Sequence, residues 1–182
     1  KFDNFIKNSI YDLLYSVKYT ILYARTTIGL KCKRLIHIRR IEHMVQIISG
    51  KKGKGKTKYL LDSVNGAVAS AQGSVVYLDK TAKHMYELSN KVRLINVSDY
   101  GINSYDAFIG FVSGIISQDH DLEKMYFDSF LKISCLEGSD ITEAIKALEA
   151  ISAKFGVDFV LSVSADATEL SDEVKSHIIV SL

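Results

Sequence analysis

From Met44 onward, short continuous apolar runs alternate with longer stretches in which apolar side chains recur at helical spacing. Val45–Ser49 is a brief apolar run without a helical repeat, and a Gly/Lys loop follows it. Lys56–Ser70 reads as a helix, because Tyr59, Leu60, Val64, Ala67 and Val68 fall on one face. Ser74–Asp79 (SVVYLD) predicts a second strand, Ala82–Leu88 a short helix, and Val92–Val97 (VRLINV) a third strand. An apolar helix over Ser104–Ser117 precedes a fourth strand over Lys124–Phe130 (KMYFDSF). Asp140 can cap a helix over Ile141–Phe155 by offering an acceptor to N–H groups that the first turn leaves unpaired. Val157–Ser164 (VDFVLSVS) predicts a fifth strand, and Ile178–Leu182 can add a sixth. Apolar strands alternating with helices predict a mostly parallel sheet of five or six strands covered on both faces, an α/β three-layer sandwich.

Residues 1–43 have a different character. Tyr11, Tyr15, Tyr19 and Tyr23 recur every fourth residue, with Ile6, Ile10, Leu13, Val17 and Ile21 alongside, which predicts an amphipathic helix. Lys7, Asp12, Lys18 and Arg25 interrupt it well short of the ~20 apolar residues that a membrane span needs. No charge-free apolar stretch ends in a small-residue cleavage site, so it does not read as a secretory signal. Arg39-Arg40 can be encoded AGG-AGG, a bacterial ribosome-binding sequence, and three codons then separate it from Met44. One expectation is therefore that residues 1–43 are upstream leader translated in frame and that the natural start is Met44. The rival expectations are a basic helix that docks on the domain or one that lies on an anionic membrane surface.

The 182 residues suit one domain of ordinary size. An apolar share of 47% supplies a core and excludes wholesale disorder. The near-neutral balance of +2 conceals two unlike pieces. Residues 1–43 carry nine Lys/Arg against three Asp/Glu, or +6, and residues 44–182 carry fourteen against eighteen, or −4. There is no proline, which excludes Pro-rich linkers, and the wealth of Ile, Lys, Asn and Tyr fits an AT-rich genome. Cys32 and Cys135 stand far apart without a CxxC pair. That argues against a disulfide scaffold or zinc knuckle and for a reducing cytoplasm.

The chemistry is concentrated after the first strand. Gly50-Lys51-Lys52-Gly53-Lys54-Gly55-Lys56-Thr57, followed by Lys58, reads G-x-x-x-x-G-K-[ST] between a strand and a helix. Glycines admit positive φ and close approach, so successive backbone N–H groups can wrap a phosphate. Lys56 then reaches the β- and γ-phosphates, the Thr57 hydroxyl can ligate Mg²⁺, and the helix turns its positive end to the anion. A solvated Lys/Gly loop and a basic nucleic-acid patch are the bland alternatives. The acidic remainder of the domain offers no wider basic face and argues against nucleic acid.

On these residues, 44–182 resemble P-loop NTPases of the RecA-like, ASCE type, in element order across the whole segment. The stretch MVQIISGKKGKGKTK also resembles short clostridial P-loop ATP-binding proteins sometimes labelled twitching-motility ATPases. Twitching motors themselves are much longer, with a separate N-terminal domain and acidic and histidine boxes that this chain does not show. The resemblance implies the P-loop NTPase fold, ATP and Mg²⁺ as cofactors, and an acidic residue for the metal at the end of an apolar strand.

Two aspartates are candidates for that acid. Asp128 closes Met125-Tyr126-Phe127-Asp128 and resembles the Walker B ending of RecA-like ATPases, so it is the better match for Mg²⁺ held through water. Asp79 closes Val75-Val76-Tyr77-Leu78-Asp79, where RecA-like proteins place residues near the hydrolytic centre. That family wants a catalytic glutamate shortly after the second strand. Asp79-Lys80-Thr81-Ala82-Lys83 has none, which leaves Asp79 to orient the water and implies slow hydrolysis. Ser162 and Ser164 end the fifth strand, where related ATPases carry a polar γ-phosphate sensor, although alternating strand polarity explains them equally well. Asp119, His120, Asp121 and Glu123 form a cluster better read as a solvated turn than as a metal site. His84 and His177 read as structural, and Cys135 as a small core residue.

Arginine use separates the subclasses. Arg93 is the single arginine after Met44, whereas enzymes that pass phosphoryl groups between nucleotides need several, and a lid besides. An arginine finger is worth about 10³–10⁵ in rate, and here only Arg93 or a lysine could serve in cis. No N-K-x-D sequence reads guanine. The chain thus reads as a cytoplasmic Mg-ATP-binding ATPase, slow alone and stimulated by a protein activator or by homo-oligomer formation. A small-substrate phosphotransferase and a non-catalytic nucleotide- or nucleic-acid-binding module are the alternatives, and a membrane partner enters only if residues 1–43 are native.

Overall fold

Every strand pair in the computed structural model, which describes residues 45–182, is parallel. The elements are β1 (Val45–Ser49), α1 (Lys56–Val68), β2 (Ser74–Asp79), β3 (Val92–Asn96), α2 (Tyr105–Gln118), β4 (Leu122–Phe127), a single turn α3 (Phe130–Ile133), α4 (Thr142–Phe155), β5 (Asp158–Val163), a single turn α5 (Asp172–Lys175) and β6 (Ile178–Ser181). One six-stranded sheet runs β3-β2-β4-β5-β1-β6. The α/β class read from the sequence is observed, and the sheet is parallel throughout. The readings of residues 1–43, the helix, the leader and Cys32 included, lie outside the described residues.

Alternation of side chains along each strand divides the interior in two. Ile47, Val76, Leu78, Met125, Phe127, Phe159 and Leu161 face α2 and α4, while Ile48, Val75, Tyr77, Tyr126 and Val160 face α1. Helix α1 closes its side with Leu60, Leu61 and Val64; α2 contributes Phe108, Val112, Ile115 and Ile116 to the other, and α4 contributes Ala144, Ile145 and Leu148. Burying each such side chain stabilises the fold by about 1.5–3 kcal/mol relative to exposure. Phe127 sits at the centre of the larger half, stacked on Phe159 at 5.5 Å and on Phe130 at 6.1 Å, with Phe108 edge-on at 5.5 Å.

Several sequence expectations need correction. Ala82–Leu88 is a succession of turns, held by i to i+3 bonds such as Met85 N to Ala82 O and Glu87 N to His84 O. Asn65 on α1 pins this segment, its amide donating to Glu87 O and its carbonyl accepting from Ser89 N. β4 begins at Leu122 and ends at Phe127, short of Phe130, because Ser129 adopts a left-handed φ of 53° and turns the chain out of the sheet. β3 stops at Asn96, where Val97 enters a 3₁₀ turn. Helix α4 starts at Thr142, one residue later than expected, and Asp140 Oδ1 does accept from Thr142 N at 3.0 Å. Cys135 is exposed at φ 59°, so it is not a core residue.

Candidate functional site

A parallel sheet delivers all its strand ends to one edge, so the segments after β1, β2, β4 and β5 emerge together. The loop Gly50–Gly55 leaves β1 there. Gly50 has φ 152°, and a Cβ at this position would stand 2.7 Å from Leu182 O. Gly55 takes φ 88° at the N-cap of α1, a conformation open to glycine, and offers the helix no capping side chain. The opening N–H groups of α1 and its positive end therefore face the loop.

Lys56, the first residue of α1, is 6% exposed and folds back over the loop. Its Nζ donates to Gly50 O at 2.6 Å and to Lys51 O at 2.9 Å. Burial lowers its ammonium below the ordinary lysine range, and the charge of Asp128 acts in the opposite sense. Lys51, Lys52, Gly53, Lys54 and Lys58 are exposed, with Lys51 Nζ 3.8 Å from Asp166 Oδ2.

Asp128 follows β4 and is buried. Its Oδ1 accepts from Thr57 Oγ1 at 3.3 Å, from Ser129 N at 2.8 Å and from Ser162 Oγ at 2.7 Å. The left-handed turn at Ser129 lets that residue's N–H reach back, and it also donates to Ser162 Oγ at 3.0 Å. The structure thus joins Thr57, Asp128 and Ser162, whereas Ser164 is exposed. Asp79 ends β2, is 3% exposed, and accepts from Lys80 N at 2.6 Å through Oδ1; its buried Oδ2 has no hydrogen-bond partner. Burial first, and then the charge of Asp128, pushes the Asp79 carboxyl above the usual range. Tyr77 lies under both carboxylates, and burial followed by their charges drives its phenol far above its ordinary value.

His84 reads from the sequence as structural, without a named partner. It lies in the turn after β2, and one ligating atom from each of Asp79, His84 and Asp128 falls within 4.8 Å of the others. No metal-ligand spacing announces it, because Asp128 joins it from a distant strand end. His177 is structural as expected, with Nδ1 3.2 Å from Val45 O and Nε2 3.3 Å from Glu149 Oε1. Glu123 Oε1 accepts from Gln72 N and Gly73 N, and Asp119 Oδ1 from Asp121 N, so that acidic cluster builds a turn. Arg93 is exposed on β3, three residues short of the carboxyl edge, away from the position a finger in cis would occupy.

Hard oxygen donors suit Mg²⁺, and Thr57 and Asp128 bring two of them to one part-buried point at the mouth of the loop. The residues present fit such an ion. Among the described residues no helix is long and apolar enough to cross a membrane. No protein-family model matches the chain, and no curated protein is significantly similar to it. Among solved structures 63 chains match. One, the flagellar accessory protein FlaH from Methanocaldococcus jannaschii, is 17% identical with a TM-score of 0.48, over 80% of this chain and 72% of that one.

Proposed function

We propose that the protein is a Mg-ATP-binding P-loop NTPase whose own hydrolysis is slow and is raised by a partner protein or by self-association. The observation that carries this reading is the Thr57–Asp128 hydrogen bond, which ties the G-K-T loop to a strand-terminal acid 71 residues away. Lys56 would exchange its bonds to Gly50 O and Lys51 O for phosphate oxygens, moving a charge that is already desolvated. The backbone of Gly50–Gly55 and the first N–H groups of α1 would cradle the phosphates. Mg²⁺, held by Thr57 directly and by Asp128 through water, would neutralise charge on the β- and γ-phosphates. Ser162 and Ser129 hold the Asp128 carboxylate in place for that task. Asp79 would orient an attacking water, and the lack of a glutamate after β2 and, among the described residues, of an arginine at the carboxyl edge would keep turnover low.

Thermal melting of the protein with and without nucleotide tests this. Mg-ATP at about 100 times its Kd stabilises by about 2.7 kcal/mol, which for a domain of this size raises the midpoint by roughly 5–10 °C. Lys56→Ala should abolish the shift. If neither ATP nor GTP moves the midpoint at millimolar concentration, the reading is wrong. Phosphate release without an acceptor separates an ATPase from a phosphotransferase, and salt-sensitive DNA binding that survives Lys56→Ala would mark a nucleic-acid module instead.

A further inference from the structure

The turn after β2 holds donor atoms that phosphate binding does not use. His84 Nδ1 lies 2.6 Å from Glu87 Oε1. In the neutral ring a carboxylate at that distance accepts from Nδ1–H and the lone pair lies on Nε2. That Nε2 is buried and has no hydrogen-bond partner. Asp79 Oδ2 is in the same condition, on a side chain 3% exposed whose other oxygen is taken by Lys80 N. Two buried atoms without partners forgo hydration, and a cation between them and Asp128 removes that cost. Asp79 Oδ2 and His84 Nε2 share no hydrogen bond, so no proton already bridges them. A proton is shared at about 2.6–3.0 Å, whereas two ligands at ~2.1 Å from one ion stand about 3–4 Å apart.

We propose that Asp79, His84 and Asp128, which bring one ligand atom each within 4.8 Å of the others, form a binding site for a divalent first-row transition ion of the Mn²⁺, Co²⁺ and Zn²⁺ class. An imidazole nitrogen beside two carboxylates favours these ions over Mg²⁺ and Ca²⁺, which take shells of oxygen. Glu87 is a positioning residue that fixes the tautomer and direction of the ring. The His84 side chain keeps 14% of its exposure, and Lys83, Met85 and Tyr86 around it are exposed, so an ion has a way in. The site shares Asp79 and Asp128 with the proposed nucleotide machinery but does not rest on that reading, since no phosphate-binding group of the loop belongs to it. Occupation would commit the Asp79 oxygen otherwise offered to water.

The experiment titrates Co²⁺ alone, without nucleotide, into the full chain, and follows the visible d–d absorption and the melting midpoint. One Co²⁺ per chain should bind, be displaced by Zn²⁺, and resist a tenfold excess of Mg²⁺. His84→Ala and Asp79→Asn should each weaken Co²⁺ by at least the 10–100-fold that losing an outer-shell partner costs, and Glu87→Gln by about tenfold. Without metal, Asp79→Asn should melt no lower than the parent protein, because it removes a buried carboxylate with an unpartnered oxygen; its loss of Co²⁺ is then a loss of ligand and not of fold. Lys56→Ala should retain Co²⁺ even though it loses any nucleotide shift. An absorption band that persists unchanged in His84→Ala and Asp79→Asn overturns the site, as does displacement of Co²⁺ by equimolar Mg²⁺.

Discussion

One oxygen, Asp128 Oδ1, collects three donors from three separate segments, and this convergence organises the carboxyl edge of the sheet. Ser162 supplies the shortest of these bonds. Ser162→Ala leaves a buried carboxylate one donor short and should destabilise by about 1.5–3 kcal/mol, the range for hydrogen bonds to charged groups. Urea unfolding would measure this, and a loss under 0.5 kcal/mol would show that Asp128 is held by other means. Glycines make an equally local contrast. A Cβ on Gly73 would lie 1.9 Å from Asp121 O, a backbone atom, so Gly73→Ala should cost about 2 kcal/mol or more. Gly66, on the exposed face of α1, meets nothing within 4 Å, and Gly66→Ala should stabilise by about 0.5–1 kcal/mol. Paired melting curves of the two variants must move in opposite directions.

Helix α4 shows how a neighbouring side chain completes an element. Asp140 accepts from both Thr142 N and Thr142 Oγ1, and these bonds hold its carboxyl below the ordinary value of 3.8. Because the folded value is depressed, the stabilisation is present at neutral pH and fades as pH falls below about 3.8, through the folded value. Asp140→Ala should therefore lower the midpoint by a few degrees at pH 7, with the two curves converging in acid. A difference that grows on acidification would contradict the sign. The turns at 82–88 make the opposite point about elements. Helical spacing was legible there, yet Asn65 of α1 supplies donors and acceptors that a free helix would have to find within itself, and the tertiary contact wins.

The two-sided core depends on the sheet as a unit, and Phe127 is where its larger half meets. Phe127→Ala should cost about 3–5 kcal/mol in denaturant unfolding, because Phe108, Phe130 and Phe159 cannot all collapse into the space. A cost below 1.5 kcal/mol would mean that the cluster repacks freely. The charge division matters at this level too. The −4 of residues 44–182 leaves the lysines of the loop as a local concentration of positive charge on an acidic body, which suits a compact anion better than an extended polyanion.

Most element types, the α/β class and the glycine–lysine loop between β1 and α1 were legible in the chain because each is written in neighbouring residues. A period of two or of 3.6, a capping residue and a glycine spacing are all local signals. Asp128 and Asp79 could be picked out as strand endings for the same reason. Their common surroundings could not. Strand order places β5 between β1 and β4, so Ser162 reaches Asp128; the left-handed turn at Ser129 aims an N–H back at the same carboxylate; and the turn after β2 carries His84 to within 4.8 Å of both acids. These meetings depend on which strands pair and on how irregular segments settle against them. Both are decided by packing and hydrogen-bond satisfaction over the whole sheet, and no local spacing in the sequence encodes either.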